Sequence, residues 1–447
     1  MNNKTFQISR RSFVKRCAAT AAATGLPLWF VEREMAAEQA AAPAPTSPND
    51  RPGIAWIGCG GRGGDDARDA ARRGDMVAIC DVDDSHVASA ARTYSKATKY
   101  SDFRKVLERK DVNIVVQAVP DHWHTLINVA AATAKKDIYS EKPLTLTIEE
   151  GRRVIKAVRD NKVILQTGTQ QRSDRAFHLA CELVRNERIG KLKTVNVWLP
   201  AGLHAGPFRT DQVAPAGLNW DFWLGQAPQE NYQKERCHAN FRWWWDYSGG
   251  PVTDWGAHHN DIARWAIGQD GPIAIEAKVI TPAIPGGYVT PSEYEATLTW
   301  ANGITQNVKT TLADSPYGQV LIRDGQRNGL RFEGTDGWIW VNRSGISCSN
   351  EDLLTTPLPA TAVKLETSSN HMGNFFDAVK SRKDPICPVE GGHQSAVVGH
   401  LIVIALRTGK KFQWDPAKET FIGDNAAEGN AMVARVMRKP YDVSFAG

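Results

Sequence analysis

The stretch Ile54-Ala-Trp-Ile57-Gly58-Cys-Gly60-Gly61-Arg62-Gly63 constrains the fold more than any other part of the chain. An apolar run ending in Gly-x-Gly-x-x-Gly reads as a buried strand, a tight turn, and a helix that starts at Gly64-Asp65-Asp66. Gly58 permits the turn, Gly60 lets a pyrophosphate approach the backbone, and Gly63 lets the helix pack close on the strand. Gly61 and Arg62 complete the loop, where a helix N-terminus offers N–H groups and a partial positive charge. A second apolar run, Met76 to Cys80, ends in Asp81, 18 residues past Gly63. There a carboxylate at a strand tip accepts hydrogen bonds from an adenine-ribose diol. Val82-Asp83-Asp84 follow, with no Lys or Arg to meet a 2′-phosphate, and the acid repels one. The dinucleotide expected is therefore NAD(H), not NADP(H). Arg62 either reaches a phosphate from the other side or lies solvated along the pyrophosphate.

At 447 residues the chain is long enough for two or three domains. With 42% hydrophobic and 23% charged residues, disorder is excluded for its bulk. Much of the +5 net charge lies in Lys4, Arg10, Arg11, Lys15 and Arg16, and the remainder is nearly balanced. No basic stripe argues for nucleic acid. The seven cysteines have neither Cys-x-x-Cys nor zinc-like spacing, so no metal or disulfide framework is expected.

The N-terminus, Ser9-Arg10-Arg11-Ser12-Phe13-Val14-Lys15 followed by a weakly apolar run to Leu28, reads as a twin-arginine export signal. The apolar run is too short to span as an ordinary transmembrane helix. Ala36 to Arg51 reads as an Ala/Pro-rich flexible tether. The expected localisation is periplasmic, through the twin-arginine machinery, a route that exports folded, cofactor-loaded proteins.

From residue 53 the α/β alternation is regular. The continuous apolar run 113–119 suits a parallel strand covered on both faces. It ends in a loop, Pro120-Asp121-His122-Trp123-His124, expected to face the nicotinamide half of the cofactor. Trp123 is a stacking partner for that ring; the two histidines either face the cofactor or cap the loop and helix. The strand 137–140 then leads into Glu141-Lys142-Pro143.

These motifs together resemble the Gfo/Idh/MocA family, the glucose–fructose oxidoreductase and inositol dehydrogenase group of sugar and polyol dehydrogenases. The resemblance runs from about residue 53 to the C-terminus and implies that Lys142 is catalytic. An ammonium at a strand end beside NAD can also, on physical grounds, hold the oxygen that changes charge during hydride transfer. Glu141 and Gln170 join the cofactor site, and Gln171 the substrate site.

The fold class is then α/β plus α+β. A signal and linker (1–52) precede a Rossmann dinucleotide-binding domain (53–170), and a C-terminal α/β domain (171–447) carries a large, mostly antiparallel sheet. Its strands are expected at 193–198, 273–280, 294–300, 305–312, 320–324, 329–334 and 337–341. Between them lies Gly249-Gly250-Pro-Val-Thr-Asp254-Trp-Gly-Ala-His258-His259-Asn-Asp261. Asp254 and His258 are four apart, so on a helix they share a face. A carboxylate beside an imidazole fixes its tautomer and raises its basicity. The segment matches the family's Gly-Gly-x-x-x-Asp-x-Gly-x-His motif, which carries over His258 as base, Asp254 as its orienting partner and Lys142 as polariser. His259 is either a substrate contact or helix packing. Tryptophan-rich flanks at 220–223 and 241–247, with Trp245 the substrate candidate, suggest an aromatic wall for a sugar. Trp414 and Tyr441 are expected in surface packing.

The resemblance implies a dimer or tetramer and an NAD-dependent oxidoreductase acting on a secondary hydroxyl of a sugar or glycoside, C3 among the possible positions. A glycosidase working through transient oxidation and elimination is the alternative within enzymes; a non-catalytic sugar sensor is the alternative outside them.

Overall fold

A computed structural model describes residues 10–41, 51–310 and 328–442. Two helices, α1 (Arg10–Thr24) and α2 (Leu28–Ala41), come first. The first domain then alternates β1 (Gly53–Ile57), α3 (Gly61–Ala71), β2 (Asp75–Cys80), α4 (Asp84–Thr93), β3 (Thr98–Tyr100), α5 (Phe103–Leu107), β4 (Ile114–Gln117), α6 (Asp121–Thr133), β5 (Asp137–Ser140), α7 (Ile148–Asn161) and β6 (Leu165–Thr167). Its six strands are parallel in the order β3-β2-β1-β4-β5-β6. β1 and β4 are buried along their whole length, as apolar strands covered by helices on both faces must be. The reversal of strand order beside β1 makes the crevice at the strands' carboxyl ends.

The second domain comprises α8 (Arg175–Arg185), β7 (Leu192–Trp198), α9 (Trp220–Leu224), α10 (Trp255–Ile267), β8 (Pro272–Thr281), β9 (Glu293–Trp300), β10 (Thr305–Lys309), β11 (Gly329–Gly334), β12 (Trp338–Asn342), β13 (Gly345–Cys348), α11 (Asp352–Thr355), α12 (His371–Ser381), α13 (Val389–Thr408), β14 (Phe412–Asp415), β15 (Thr420–Ile422) and α14 (Ala426–Ala431). Among the described residues nine strands form one sheet, ordered β13-β12-β11-β7-β10-β9-β8-β14-β15, antiparallel except for β7 with β10. Burial alternates along β9 and β10, so one face packs on the core that α8, α10 and α13 share. The strand expected at 320–324 lies outside the described residues.

Three expectations are corrected. Ala36 to Ala41, read as tether, continue α2. That helix docks on the second domain because Phe30 and Val31 are fully buried there and Arg33 pairs with Glu182. Trp414 is a core residue, 2% exposed and edge-on to Phe421 in the hairpin of β14 and β15. Tyr441 stacks on Phe222 and donates its hydroxyl to Asp221 at 2.7 Å.

Candidate active site

The crevice is a cavity of about 540 Å³. From the first domain it is lined by Gly58, Gly60, Gly61, Arg62, Asp81, Pro120, Asp121, Trp123, His124, Glu141, Lys142 and Gln170, and from the second by Asp254 and His258. Gly58 has φ +85°, where L side chains are strained, and a Cβ on it would lie 2.7 Å from the Ala118 carbonyl oxygen. A Cβ on Gly63 would lie 2.2 Å from the Gly58 carbonyl oxygen, so Gly63 stands behind the wall and brings α3 against β1. A Cβ on Gly61 would meet nothing within 4 Å, and no side chain caps α3, which begins at Gly61 instead of Gly64. Open backbone at an uncapped helix N-terminus is what a pyrophosphate needs, so the residues present fit NAD.

Asp81 stands at the tip of β2, accepting from the Cys59 N–H (2.7 Å) and the Asp83 N–H (3.0 Å). Arg62 donates to Glu141 (3.1 Å) and Asp66 (2.6 Å). β2 and β5 are three strand spacings apart, roughly 14 Å, so Arg62 is on the wrong side of the crevice to meet a 2′-phosphate beside Asp81. Gln170 donates to Glu141 (2.7 Å) and to the Tyr139 hydroxyl (3.0 Å), which fixes the Glu141 carboxylate beneath the glycine turn. Burial works against ionisation of Glu141, but Arg62 and Lys142 outweigh it and hold its carboxyl low.

The expected loop 120–124 is the first turn of α6 instead. Pro120, at φ −58°, takes the N-cap position, and Asp121 in the first turn suits the helix dipole. Trp123 is 5% exposed: its ring packs edge-on to Phe103, Phe222 and Tyr441, and its indole N–H donates to the Trp223 carbonyl (3.0 Å). It lines the cavity as part of a packed aromatic cluster, held by its indole N–H. His122 bonds the same carbonyl (3.0 Å), and burial pushes its pKa down to about 3. The ring nitrogens of His124 face the carbonyl oxygens of Pro143 (2.6 Å) and Val119 (2.9 Å), so it ties the end of β4 to the Glu-Lys-Pro loop. Asp121 accepts from Ser248 (2.5 Å), a bond between the two domains.

Lys142 follows β5, and its Nζ donates to Asp254 Oδ1 (2.7 Å) and to the Asp254 carbonyl (2.8 Å). Arg242 adds a second cation 3.3 Å from the same carboxylate oxygen. Burial pushes the Asp254 carboxyl up, but the two cations outweigh it and bring it down to about 2. The pairing of Asp254 with His258 is thereby corrected. Asp254 is the N-cap residue of α10 and its carboxylate is turned to Lys142, while His258 Nδ1 is buried without a hydrogen-bond partner. Asp254 positions the lysine; the imidazole's tautomer is not set by a carboxylate. Burial, with Lys142 and Arg343 adding to it, holds His258 well below the ordinary histidine range. The imidazole is therefore neutral and able to take a proton throughout the neutral range. The acid limb of kcat/KM, which reports the free enzyme, is expected below pH 6.5, because the base form persists to lower pH than in an ordinary histidine. A limb at or above pH 6.5 would show that His258 is not the base.

The three substrate candidates are corrected as well. Gln171 is 3% exposed; with its amide nitrogen toward the His258 carbonyl (3.1 Å), its oxygen accepts from Arg343 Nε (3.2 Å). His259 is fully buried on Asn328 (2.8 Å), and burial brings its pKa down to about 4. Neighbours in a helix point about 100° apart. With His258 at the cavity, His259 faces the core. Trp245 lines a separate cavity with Arg407 and His400. From the second domain the aromatic wall is made by Phe222, Trp223, Phe241 and Trp255. Arg242, Arg343, His86 and His238 also reach the cavity. No local sequence signal marks these four: an arginine in a turn and a histidine on a surface helix are ordinary residues until the chain folds.

Residues 53–169 match the family model described as "Oxidoreductase family, NAD-binding Rossmann fold", and residues 207–443 match "Oxidoreductase family, C-terminal alpha/beta domain". Among curated relatives, levoglucosan dehydrogenase of Pseudarthrobacter phenanthrenivorans is 27% identical over 191 residues, 43% of this chain and 42% of that one. Inositol 2-dehydrogenase of Salmonella paratyphi B is 30% identical over 119 residues, 26% of this chain and 35% of that one. The chain thus spans less than half the length of these two relatives. Among solved structures, the WlbA dehydrogenase from Bordetella pertussis, in complex with NADH and UDP-GlcNAcA, superposes with a TM-score of 0.61 at 19% identity, covering 82% of this chain and 99% of that one. That likeness speaks to the fold. With the glycine turn, Asp81 and the Lys142–Asp254 pair assembled on one crevice and both domains matched in order, the chain belongs to the Gfo/Idh/MocA oxidoreductase family.

Proposed function

We propose that this protein is an exported, NAD-dependent dehydrogenase that oxidises a secondary hydroxyl of a sugar or glycoside, with the C3 hydroxyl as the first to test. The observation that carries the reading is the Lys142 ammonium, held by Asp254 at 2.7 Å on the same cavity as the glycine turn and His258. NAD, when bound, supplies the hydride acceptor. Lys142 donates to the substrate oxygen and stabilises the negative charge that develops on it. His258 takes the hydroxyl proton; its basicity, low beside Lys142, rises as the anionic oxygen forms next to it. Asp254 keeps the lysine in place, and Arg242 helps keep the Asp254 carboxylate ionised. The apolar faces of a sugar suit the wall of Phe222, Trp223, Phe241 and Trp255. The names of the dehydrogenase relatives, levoglucosan and inositol, are those of polyhydroxylated rings, which supports this substrate class.

Arg10 and Arg11 support the export reading. Free NAD would be diluted after export, so the cofactor is proposed to stay bound and to be recycled in place by pairing oxidation of one sugar with reduction of another. The test is to denature the purified protein and assay the supernatant for NAD(H), then to titrate sugar pairs while following the absorbance of the reduced cofactor. Stoichiometric nucleotide that cycles with a sugar pair is the expected result. Protein that neither carries nor binds nucleotide would overturn the oxidoreductase reading, and loosely held NAD would overturn recycling in place.

A further inference from the structure

The second domain reaches over the end of β2, at the adenosine end of the crevice. Two backbone bonds tie it there: the Asp84 N–H donates to the Gly217 carbonyl (3.0 Å), and the Asn219 N–H to the Val82 carbonyl (3.0 Å). Gly217, at φ +88°, comes so close that a Cβ on it would lie 3.2 Å from Asp84 Cβ. A side-chain tie lies beside these. His238 Nε2 is 3.3 Å from Asp83 Oδ2, and its ring is 4.6 Å from that of His86, whose Nδ1 is 3.2 Å from Asp81 Oδ2. Asp81, His86 and His238 all line the cavity.

We propose that His238, with Asp83 and His86, is a clasp that closes the adenosine end of the groove and sets how slowly the nucleotide leaves. The inference rests on the NAD reading above and adds the residues that retain the cofactor. Asp81, the diol acceptor, already has three of its roughly four lone-pair positions filled, by the Cys59 and Asp83 N–H groups and by His86. A ribose diol that binds there takes the place of His86, whose ring remains flanked by His238 and Asp83. Departure of the adenosine then requires the His238–Asp83 contact to open. His238 is also held at φ +50°, an uncommon conformation for a residue with a Cβ, imposed where the segment must turn back onto the first domain. The clasp acts through position, not through the reacting atoms.

The experiment compares wild type with His238→Gly, which suits the positive φ and removes the imidazole, and with His238→Gln, which keeps a donor within reach of Asp83. Each protein is loaded with NADH, diluted into excess ADP-ribose, and followed by the loss of bound-nucleotide fluorescence. Thermal midpoints serve as the control for folding. The expected result is release about tenfold faster from His238→Gly at an unchanged midpoint of the nucleotide-free protein, with His238→Gln close to wild type. Equal release rates in wild type and His238→Gly would overturn the clasp and leave the NAD reading standing. Wild type that binds no NADH overturns both. The ligand atoms of Asp83, His86 and His238 also lie within 4.8 Å of one another, so the wild-type assay is repeated with EDTA and with added zinc. Release that EDTA leaves unchanged supports the hydrogen-bonded clasp. Release that EDTA accelerates and zinc restores would make the cluster a metal site and overturn it.

Discussion

Lys142→Met is expected to lower kcat for the sugar found in the substrate screen by about a thousandfold, while NADH still binds. Removing a preorganised donor aimed at a developing oxyanion costs on the order of 10²–10³ in rate. Loss of the lysine also leaves Asp254 with Arg242, 3.3 Å away, as its nearest cation, so the carboxyl rises from about 2. Lys142→Arg is not expected to rescue. A planar guanidinium cannot reproduce one ammonium that donates both to the Asp254 carboxylate and to its carbonyl. Single-turnover kinetics on NAD-loaded protein separate chemistry from release. Turnover within tenfold of wild type would remove Lys142 from the reaction and leave the Lys142–Asp254 pair a structural tie between domains.

Asp261→Ala is expected to destabilise the protein by about 3–5 kcal/mol, read as a lower guanidinium midpoint at unchanged slope. Asp261 and Arg172 form a two-bonded pair at 2.8 and 2.6 Å, with side chains 0% and 6% exposed. Ser395 donates to the same carboxylate (2.5 Å), and Arg172 also donates to the Ile386 carbonyl (3.0 Å). The pair therefore joins α10, the segment before α8, and α13. Alanine at 261 leaves a guanidinium buried without its counter-charge, and that uncompensated charge, not the lost attraction, is the larger part of the cost. Asp261→Leu combined with Arg172→Met should accordingly be less destabilised than Asp261→Ala alone. If the double variant is the worse of the two, the pair's own attraction dominates and the argument from desolvation fails. Because Asp261 sits one helical turn after His258 on α10, activity should fall with stability in the single variant.

The nucleotide-binding half was legible in the sequence because its signals are local. Strand, glycine turn, helix and acid lie within 30 residues, and the steric need for Gly58 and Gly63 is set by backbone on the next strand or a few residues away. Parallel order then follows from right-handed crossovers. The same locality explains the departures around residues 120–124. Pro120 and Asp121 read as a loop but favour a helix start, and Trp123 is packed by Phe222 and Tyr441, about a hundred and three hundred residues further on.

Residue order along the chain was enough for the nucleotide fold and the preference for NAD, and the resemblance of its motifs to the family pointed to Lys142, Asp254 and His258, which line one cavity. How they are paired depends on the packing of the two domains. An Asp four residues before a His is within reach of it only if both lie inside the helix; Asp254 sits at the N-cap, and Lys142, 112 residues earlier, takes its carboxylate. The same holds for His258 against His259, and for Phe222 and Trp223 against Trp245. Residue type and spacing fix which side chains a helix or turn presents. Which face meets the cavity is set by the burial of distant apolar residues, and that information exists only once the two domains have packed.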